Sequence, residues 1–191
     1  MRVFLETDRL TLRRFAPSDV DHLVALDGDP AVMRFLTNGR PTPRATVEDE
    51  VLPAILRGYE LGPAGRWAAV ERATGAFLGW FALDPGPDGD AGEVELGYRL
   101  RAESWGRGYA TEGSRALVRA AFTELGSRRV WAQTMAVNLA SRRVMAKAGL
   151  RYARTFHLEF DDPIPGTEHG EVEYELLRDD WAGSAAVTGP L

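Results

Sequence analysis

The segment WGRGYATEG, from Trp105 to Gly113, places three glycines within nine residues, between a strand-like and a helix-like segment. A turn from a strand into a helix leaves backbone N–H groups unpaired at the positive end of the helix dipole. Glycine, which has no side chain, also lets an anion approach the main chain closely. The segment therefore predicts an α/β fold in which a strand–turn–helix unit can bind a phosphate.

Hydrophobic patterning predicts the remaining elements, since alternation favours strands and three- to four-residue spacing favours helices. The expected order is a strand at RLTLRRF, helices at residues 17–27 and 46–61, strands at RWAAVER, FLGWFAL and EVELGYRL, a helix at residues 109–125, a strand at RRVWAQTMAV, a helix at NLASRRVMAKAG, and strands at LRYARTFHLEF and GEVEYELL. Ser18 is the predicted N-cap of the first helix, Pro53 should kink or split the second, and Gly149 should end the fourth. We expect one mixed α/β (α+β) domain over residues 1–182, followed by a flexible tail over residues 183–191.

Composition excludes several classes of function. The formal net charge of −5 gives no support to general nucleic-acid binding. The absence of cysteine rules out disulfides, thiol catalysis and thiolate metal sites, and the three histidines do not have a metal-ligand spacing. No run approaches the roughly 20 apolar residues of a membrane span, and the first residues lack a signal-peptide core. We therefore expect a cytoplasmic protein with no metal, no nucleic-acid partner and no membrane segment.

The glycine turn fits some phosphate-binding loops better than others. An ATP-binding P-loop requires a lysine after its last glycine, and none follows here. A Rossmann dinucleotide loop requires a glycine where Thr111 stands, and an acidic residue about 20 residues later, where the chain has Ser127 and Arg128. Two interpretations remain: a loop for the pyrophosphate of coenzyme A, and a turn whose glycines only begin a helix.

The segment GYRLRAESWGRGYATEG resembles the phosphate loop of the GNAT superfamily of N-acetyltransferases, which has the form [Q/R]-x-x-G-x-[G/A]. It is most similar to the Rim-type branch of ribosomal-protein N-terminal acetyltransferases and their small-amine relatives, in which a tryptophan at the position of Trp105 is usual. Further segments, TDRLTLRRFAPSDVDHLVAL, GDPAVMRFL, NLASRRVMAKAGLRY and VEYELLRDDW, resemble the family in the expected order over about residues 6 to 182. The resemblance implies a mixed, mostly antiparallel central sheet with helices on both faces and a splayed pair of parallel strands at the cofactor cleft.

The resemblance also implies transfer of an acetyl group from acetyl-CoA, the cosubstrate, to a primary amine. The splayed strands would be EVELGYRL and the strand from Arg129 to Met135. The implied cofactor-binding residues are Tyr98, Arg99 and Leu100 for the pantetheine arm, Arg101, Gly106, Arg107, Gly108, Tyr109, Ala110 and Thr111 around the pyrophosphate, and Asn138 and Ser141 at the start of the next helix. Asn138 can equally be a simple N-cap.

Transfer to an amine needs a neutral nucleophile and a proton for the leaving thiolate. Without cysteine, direct attack in a ternary complex is the simplest hypothesis. Glu93 and Glu95 alternate onto one face of their strand, and we favour Glu95 as the base, acting directly or through a water. The alternative is that both carboxylates are solvated or that one pairs with an arginine. Ser141 is the candidate to protonate or hydrogen-bond the thiolate.

The acceptor site is the least constrained part. The acidic loop DDPIPGTEHGE can attract a cationic amine or can be a solvated hairpin. Phe35, Trp67 and Trp80 can line a pocket or pack in the core, and His157 can lie near the acceptor mouth or only at the surface. The acceptor is a protein N-terminus, possibly ribosomal, or a small-molecule amine, and the protein is a monomer or a homodimer. A non-catalytic acyl-CoA-binding or sensor domain of the same fold is the alternative function, and a dinucleotide oxidoreductase is a more distant one.

Overall fold

The computed structural model describes residues 2–62, 64–86 and 92–187. The strands are β1 Val3–Glu6, β2 Leu10–Arg14, β3 Gly65–Glu71, β4 Phe77–Pro85, β5 Glu93–Leu100, β6 Arg129–Met135, β7 Arg151–Phe156 and β8 Glu171–Leu177. The helices are α1 Val20–Asp27, α2 Pro30–Thr37, α3 Arg44–Thr46, α4 Leu52–Leu61, α5 Tyr109–Thr123, α6 Leu139–Lys147 and α7 Arg178–Val187. A π-helical segment, Val47–Val51, joins α3 to α4, and 3₁₀ turns span Pro17–Asp19, Ala102–Ser104 and Thr167–His169.

All eight strands form a single sheet with the order β1-β2-β3-β4-β5-β6-β8-β7. Neighbouring strands are antiparallel, except that β5 and β6 run parallel on either side of the crossover through α5. The prediction of a mixed, mostly antiparallel sheet is therefore confirmed. Strand β1 and helix α2 were not predicted as separate elements.

Helices pack on both faces of the sheet, as predicted. On one face, α5 contributes Leu117, Ala121 and Phe122 to a cluster with residues of β2 to β6 and β8. On the other, α1 and α4 cover Trp80 and Ala82 of β4. Because both of its faces are covered, β4 is a nearly continuous run of buried residues.

One close approach fixes how α5 lies on the sheet. A Cβ atom at Gly113 would lie 2.3 Å from the ring of Phe81 on β4. Only a residue without a side chain lets the helix pack this closely. The third glycine of the segment WGRGYATEG therefore serves helix–sheet packing, and only the first two belong to the turn.

Two local predictions about the first helices fare differently. Ser18 does not cap α1, which begins after Asp19 without a side-chain cap. Instead, the Asp19 carboxylate accepts a hydrogen bond from the Ala16 N–H at 2.8 Å and pairs with Arg13 at 2.7 Å, so it holds the preceding 3₁₀ turn. Pro53 lies in the first turn of α4, directly after the π-helical segment, and the predicted interruption is confirmed.

The end of α6 is where the sequence predicts it, and the end of the chain lies only partly within the described residues. Gly149 follows α6 with a φ of 103°, as expected of the residue that ends a helix. The expected tail over residues 183–191 begins inside α7, and residues 188–191 lie outside the described part of the chain. The Pro-, Gly- and Asp-rich segment DPGPDGDAG, residues 84–92, predicts a loop between two strands. Its first two residues end β4, and residues 87–91 lie outside the described part of the chain.

Candidate functional site

A gap opens in the sheet between the two parallel strands. Strands β5 and β6 pair at Glu93 with Arg129, Val94 with Val130 and Glu95 with Trp131. Beyond Glu95, β5 continues to Leu100 in register with β4 only, while β6 continues to Met135 in register with β8. The two strands thus diverge where the family resemblance implied a splayed pair.

The glycine turn lies at the open end of β5. Gly106 and Gly108 have φ angles of +72° and +86°, in the left-handed region that favours glycine. The indole N–H of Trp105 donates to the Leu100 carbonyl at 2.8 Å and ties the turn to the end of the strand. Among the described residues, no acceptor meets the backbone N–H groups of residues 106–111, which precede or begin α5. These free donors at a helix N-terminus can bind an anionic group.

Two side-chain clusters hold this turn in place. Arg9 donates to the Glu112 carboxylate at 2.7 Å and to the Arg107 carbonyl at 2.9 Å. The Tyr109 hydroxyl donates to Glu71, and the guanidinium of Arg9 lies 4.5 Å from the Tyr109 ring centre. The free N–H groups therefore belong to a turn fixed from both sides, which favours binding without rearrangement.

A groove with a volume of about 710 Å³ runs beside the turn. Gly108 and Thr111 line it on the side of the turn, and the cationic groups of Arg9, Arg115 and Lys147 outnumber the carboxylates of Asp8 and Glu112, the second of which pairs with Arg9. Cations next to unpaired N–H groups suit a ligand with several phosphates. The donor set therefore fits a coenzyme A nucleotide. The contributions of Arg9, Arg115 and Lys147, the only lysine in the chain, were not predicted.

Glu95 lies where β5 and β6 part, and its carboxyl group has an unusual pKa. Burial raises the pKa of Glu95 from 4.5 to about 7, and the nearby charge of Asp84 adds to the effect. A hydrogen bond from Gln133 opposes the rise in pKa. Near neutral pH this carboxylate can therefore accept and release a proton.

Glu93, the other candidate base, is engaged in an ion-pair network. The guanidinium of Arg129 contacts Glu93 at 2.8 Å, Glu173 at 2.5 Å and Glu175 at 2.7 Å. Arg154 contacts the buried Glu173 at 2.8 Å. The alternative that one carboxylate pairs with an arginine holds for Glu93, and this network braces β5, β6 and β8 below the gap.

Tyr98 and Ser141 meet on the opposite face of the sheet. Because side chains alternate along a strand, Tyr98 shares the face of β5 that packs on α5, and Glu95 points to the other face. The Tyr98 hydroxyl lies 2.9 Å from the Ser141 hydroxyl oxygen and donates to the Ser141 carbonyl at 3.0 Å. Burial raises the pKa of Tyr98 to about 12, so this hydroxyl stays protonated. The gap is thus flanked by a carboxylate on one face and hydroxyls on the other.

Asn138 caps α6, as one of the two interpretations predicted. Its side-chain oxygen accepts from the Ser141 N–H at 3.2 Å, and its amide nitrogen donates to the Thr134 hydroxyl at 3.1 Å. The cap therefore fixes the position of Ser141 relative to β6. A contact of Asn138 with the pantetheine arm stays a prediction.

The remaining predicted cofactor residues lie along β5 and the turn. Arg99 points to the Glu95 face, where it pairs with the buried Asp27 at 2.6 Å, and Leu100 is buried in the core. Arg101 pairs with Glu103 at 3.0 Å near the turn. Tyr109 and Ala110 open α5. The structure brings these residues to one end of the gap, and their contacts with the cofactor stay predictions.

The predicted acceptor residues are only partly brought together. Trp67 is a core residue that stacks on Phe4 at 4.0 Å, and Trp80 is buried between Arg66 and Arg99 on the Glu95 face. Asp162 pairs with Arg40 at 2.7 Å, which links the acidic loop to the segment after α2. His157 and Asp161 are exposed, and Glu168 accepts from the Gly166 N–H.

Neither a metal site nor a membrane-spanning helix is present among the described residues. Over residues 2–62, 64–86 and 92–187, no group of three or more histidine and acidic side chains is placed to hold a metal ion. No helix in that part of the chain is long and apolar enough to cross a membrane.

Known proteins resemble the chain in both sequence and fold. Residues 9–151 match the family model described as an acetyltransferase (GNAT) domain. The chain is 38% identical over 185 residues to the FsC-acetyl coenzyme A-N(2)-transacetylase of Aspergillus fumigatus, covering 93% of this chain and 77% of that protein.

Among solved structures, a spermidine N-acetyltransferase from Vibrio cholerae in complex with CoA and spermine has a TM-score of 0.75 at 15% identity, covering 92% of this chain and 99% of the other. RimL, a ribosomal L7/L12 alpha-N-protein acetyltransferase in complex with coenzyme A, has a TM-score of 0.77 at 16% identity, covering 94% and 99%. At these identities the two structures bear on the fold alone.

Proposed function

Because this chain belongs to the GNAT family of acetyltransferases and is therefore an acetyl-CoA-dependent N-acetyltransferase, we propose that it acetylates the primary amine of a small molecule by direct attack, with Glu95 as the base. The observation that carries the proposal is the half-buried Glu95 carboxylate, with its pKa of about 7, at the point where β5 and β6 part. A group of this kind can take a proton from an attacking amine near neutral pH.

The turn and the groove support a binding mode for acetyl-CoA. We assign the pyrophosphate to the backbone N–H groups of residues 106–111, where no other acceptor meets them in the described part of the chain. The cationic groups of Arg9, Arg115 and Lys147 would then face the phosphates of the nucleotide. The pantetheine arm would follow the free edge of β5 from Leu100 toward Glu95. The bound cosubstrate supplies an acetyl group activated as a thioester.

Proton transfers on the two faces of the sheet complete the reaction. The amine nitrogen attacks the acetyl carbonyl carbon from the Glu95 face, and Glu95 accepts the proton that the nitrogen loses. An N–H group of β5 beyond Glu95 would stabilise the negative oxygen. As the carbon–sulfur bond breaks, the Ser141 hydroxyl donates its proton to the sulfur. The Tyr98 hydroxyl, 2.9 Å from the Ser141 hydroxyl oxygen, can then donate a proton to that oxygen.

The charge of the site and the most informative relative support the choice of acceptor. Asp84 lies beside Glu95 on the same face of the sheet, and its side chain, 46% exposed, can attract a cationic amine, whereas Glu93 is neutralised by Arg129. The name of the Aspergillus protein, at 38% identity, specifies acetyl transfer from coenzyme A to a nitrogen atom, N(2). A protein N-terminus, which the Rim-type resemblance suggests, has support only from structures that bear on the fold.

The test is a thiol-release assay with matched acceptors. Because the chain has no cysteine, a thiol reagent reports released CoA without interference from the enzyme. We expect CoA release, with an equal amount of acetylated product by mass spectrometry, from small α-amines at least tenfold faster than from a peptide N-terminus such as trialanine. Equal or faster release with the peptide would replace the small-molecule assignment, and no release with any amine would overturn the proposed function.

A further inference from the structure

A second cavity lies at one edge of the sheet. It has a volume of about 200 Å³ and is lined by residues in and beside β1, the end of β2, β3 and the end of α4. None of these residues lines the groove that we assign to the cofactor. Pockets for drug-sized ligands have volumes of roughly 300–1,000 Å³, so this cavity suits a smaller molecule.

Two arginines of the cavity lie side by side across the first two strands. The Arg14 N–H donates to the Arg2 carbonyl at 2.9 Å, which continues the register that pairs Val3 with Arg13. Residues directly opposite each other place their side chains on one face of the sheet, with Cβ atoms about 4.5–5.5 Å apart. The side chains of Arg2 and Arg14 therefore start from neighbouring positions on one face, and like charges in this arrangement destabilise a sheet.

No carboxylate offsets this repulsion. The described lining contains none, and neither guanidinium forms an ion pair with a described residue. By contrast, Arg13, whose side chain points to the other face, pairs with Asp19 at 2.7 Å. The Arg14 guanidinium lies 4.6 Å from the centre of the Tyr59 ring, a contact that holds its position without using its N–H donors. Arg2 is exposed and Arg14 is half-buried, so a ligand can reach both.

The surfaces beneath the two guanidinium groups are apolar. Phe4 stacks on Trp67 with ring centres 4.0 Å apart, and Trp67 shares the face of Arg14, its register partner. Tyr59 and Gly62 close the cavity from α4. Paired guanidinium groups match a carboxylate or a phosphate, and the aromatic lining adds a surface that only an organic anion can cover.

We propose that this cavity binds a small organic carboxylate with a flat apolar body. The carboxylate accepts hydrogen bonds from Arg2 and Arg14, and the body covers the aromatic lining. The bound anion removes the repulsion between the two guanidinium groups and connects β1 and β2 with the end of α4. This site does not depend on the acetyltransferase reaction, because it lies outside both the gap and the cofactor groove.

The experiment compares three probes that separate charge from apolar surface. Thermal unfolding of the whole chain is followed at constant ionic strength with benzoate, with benzamide, and with inorganic phosphate. Benzamide has the same ring without the charge, and phosphate has the charge without the ring. We expect benzoate to raise the unfolding temperature in a saturable way, because a ligand that binds only the folded state stabilises it. The other two probes should bind at least about tenfold more weakly.

Two variants locate the bound benzoate. Arg2→Met and Arg14→Met each keep an unbranched side chain and remove the guanidinium, and each should weaken benzoate binding at least about tenfold, the effect of losing one charge-assisted hydrogen bond. The control is Arg119→Met, at an exposed arginine of α5 outside both cavities, which should bind benzoate as the wild type does. All three variants should keep the stabilisation by acetyl-CoA.

The repulsion between the arginines gives a second readout that needs no ligand. Without benzoate and at low salt, Arg2→Met should unfold at a higher urea concentration than the wild type, because it removes one of two like charges. With saturating benzoate the order should reverse, because only the wild type gains the full stabilisation by the ligand. A purely structural role of Arg2 predicts a loss of stability under both conditions.

Several results would overturn the proposal. Equal benzoate affinity in Arg2→Met and wild type, or loss of the benzoate effect when acetyl-CoA is saturating, would place benzoate elsewhere on the protein. Phosphate binding as tight as benzoate binding would exclude an organic carboxylate as the preferred ligand. No saturable shift at millimolar benzoate would exclude the site. Each of these outcomes leaves the acetyltransferase proposal intact, because that proposal is tested by CoA release.

Discussion

Replacing Glu95 by glutamine should have opposite effects on activity and on stability. Glutamine keeps the shape of the side chain and can still hydrogen-bond Gln133, but it cannot accept a proton from the amine. Loss of a general base typically costs a factor of about 10² to 10⁴. We expect kcat to fall at least about a hundredfold, with little change in the affinity for acetyl-CoA.

The effect on stability follows from the raised pKa. An unfolded glutamate ionises near pH 4.5, whereas Glu95 in the folded protein keeps its proton up to about pH 7. The folded state therefore binds the extra proton between these values, and unfolding free energy is lost as the pH rises through them. One pKa unit is about 1.4 kcal/mol, which gives about 3 kcal/mol for this group, and solvent screening around the half-buried carboxyl reduces it to about 1–2 kcal/mol. Glu95→Gln should thus be more stable than wild type by that amount at pH 8, and equally stable near pH 4.

Urea denaturation at the two pH values measures this difference, and a pH–rate profile measures the role of the base. With an acceptor whose amine titrates near pH 10, as lysine does, log kcat/KM should rise with a slope of about two below pH 7, because Glu95 and the amine must each lose a proton. Above pH 7 the slope should be about one, because only the amine still has to lose a proton. In Glu95→Gln the slope should be about one throughout. Glu93→Gln, on the same face of β5 but paired with Arg129, is the control and should keep nearly normal turnover. Normal turnover in Glu95→Gln, or an unchanged profile, would refute the assignment of the base.

Three further predictions concern the cofactor groove and the leaving group. Gly108→Asp should abolish the thermal stabilisation by acetyl-CoA, which at about 100 times the dissociation constant amounts to roughly 2.7 kcal/mol. Gly126→Asp, with a similar φ of +72° beyond the far end of α5, should keep it, and binding by Gly108→Asp would remove the phosphate assignment. Lys147→Glu should raise the KM for acetyl-CoA several-fold, and the rise should be smaller at high salt. Arg119→Glu, on α5 but outside the groove lining, should leave this KM unchanged. Equal rises in KM for the two variants would argue against a contact between Lys147 and the cofactor. In single turnovers, the double variant Ser141→Ala with Tyr98→Phe should lose more activity than the two single variants together, because each hydroxyl can act as the proton donor when the other is absent. A small loss in the double variant, equal to the sum of the two single losses, would exclude the pair as the proton source.

The sequence was most informative where local chemistry determines the structure. The extent of β5, the glycine turn at Gly106 and Gly108 and the cap at Asn138 all follow from residue types and short spacings. The splayed strand pair was implied by the resemblance and is confirmed by the register of β5 and β6. These features depend on few residues that are near one another in the chain.

Contacts between distant residues could not be predicted in the same way. Arg9 and Glu112 are more than 100 positions apart, and nothing in either neighbourhood marks them as partners that hold the turn. The choice between Glu93 and Glu95 also required the fold, because only the fold places Arg129 beside the first and buries the second.

Initial rates of CoA release, measured while the concentrations of acetyl-CoA and a small α-amine are varied together, test the central claim most directly. Direct attack requires both substrates to be bound at once, so double-reciprocal plots of CoA release should give lines that intersect. Parallel lines, the pattern of an acetylated enzyme intermediate, would contradict transfer in a ternary complex at the gap beside Glu95.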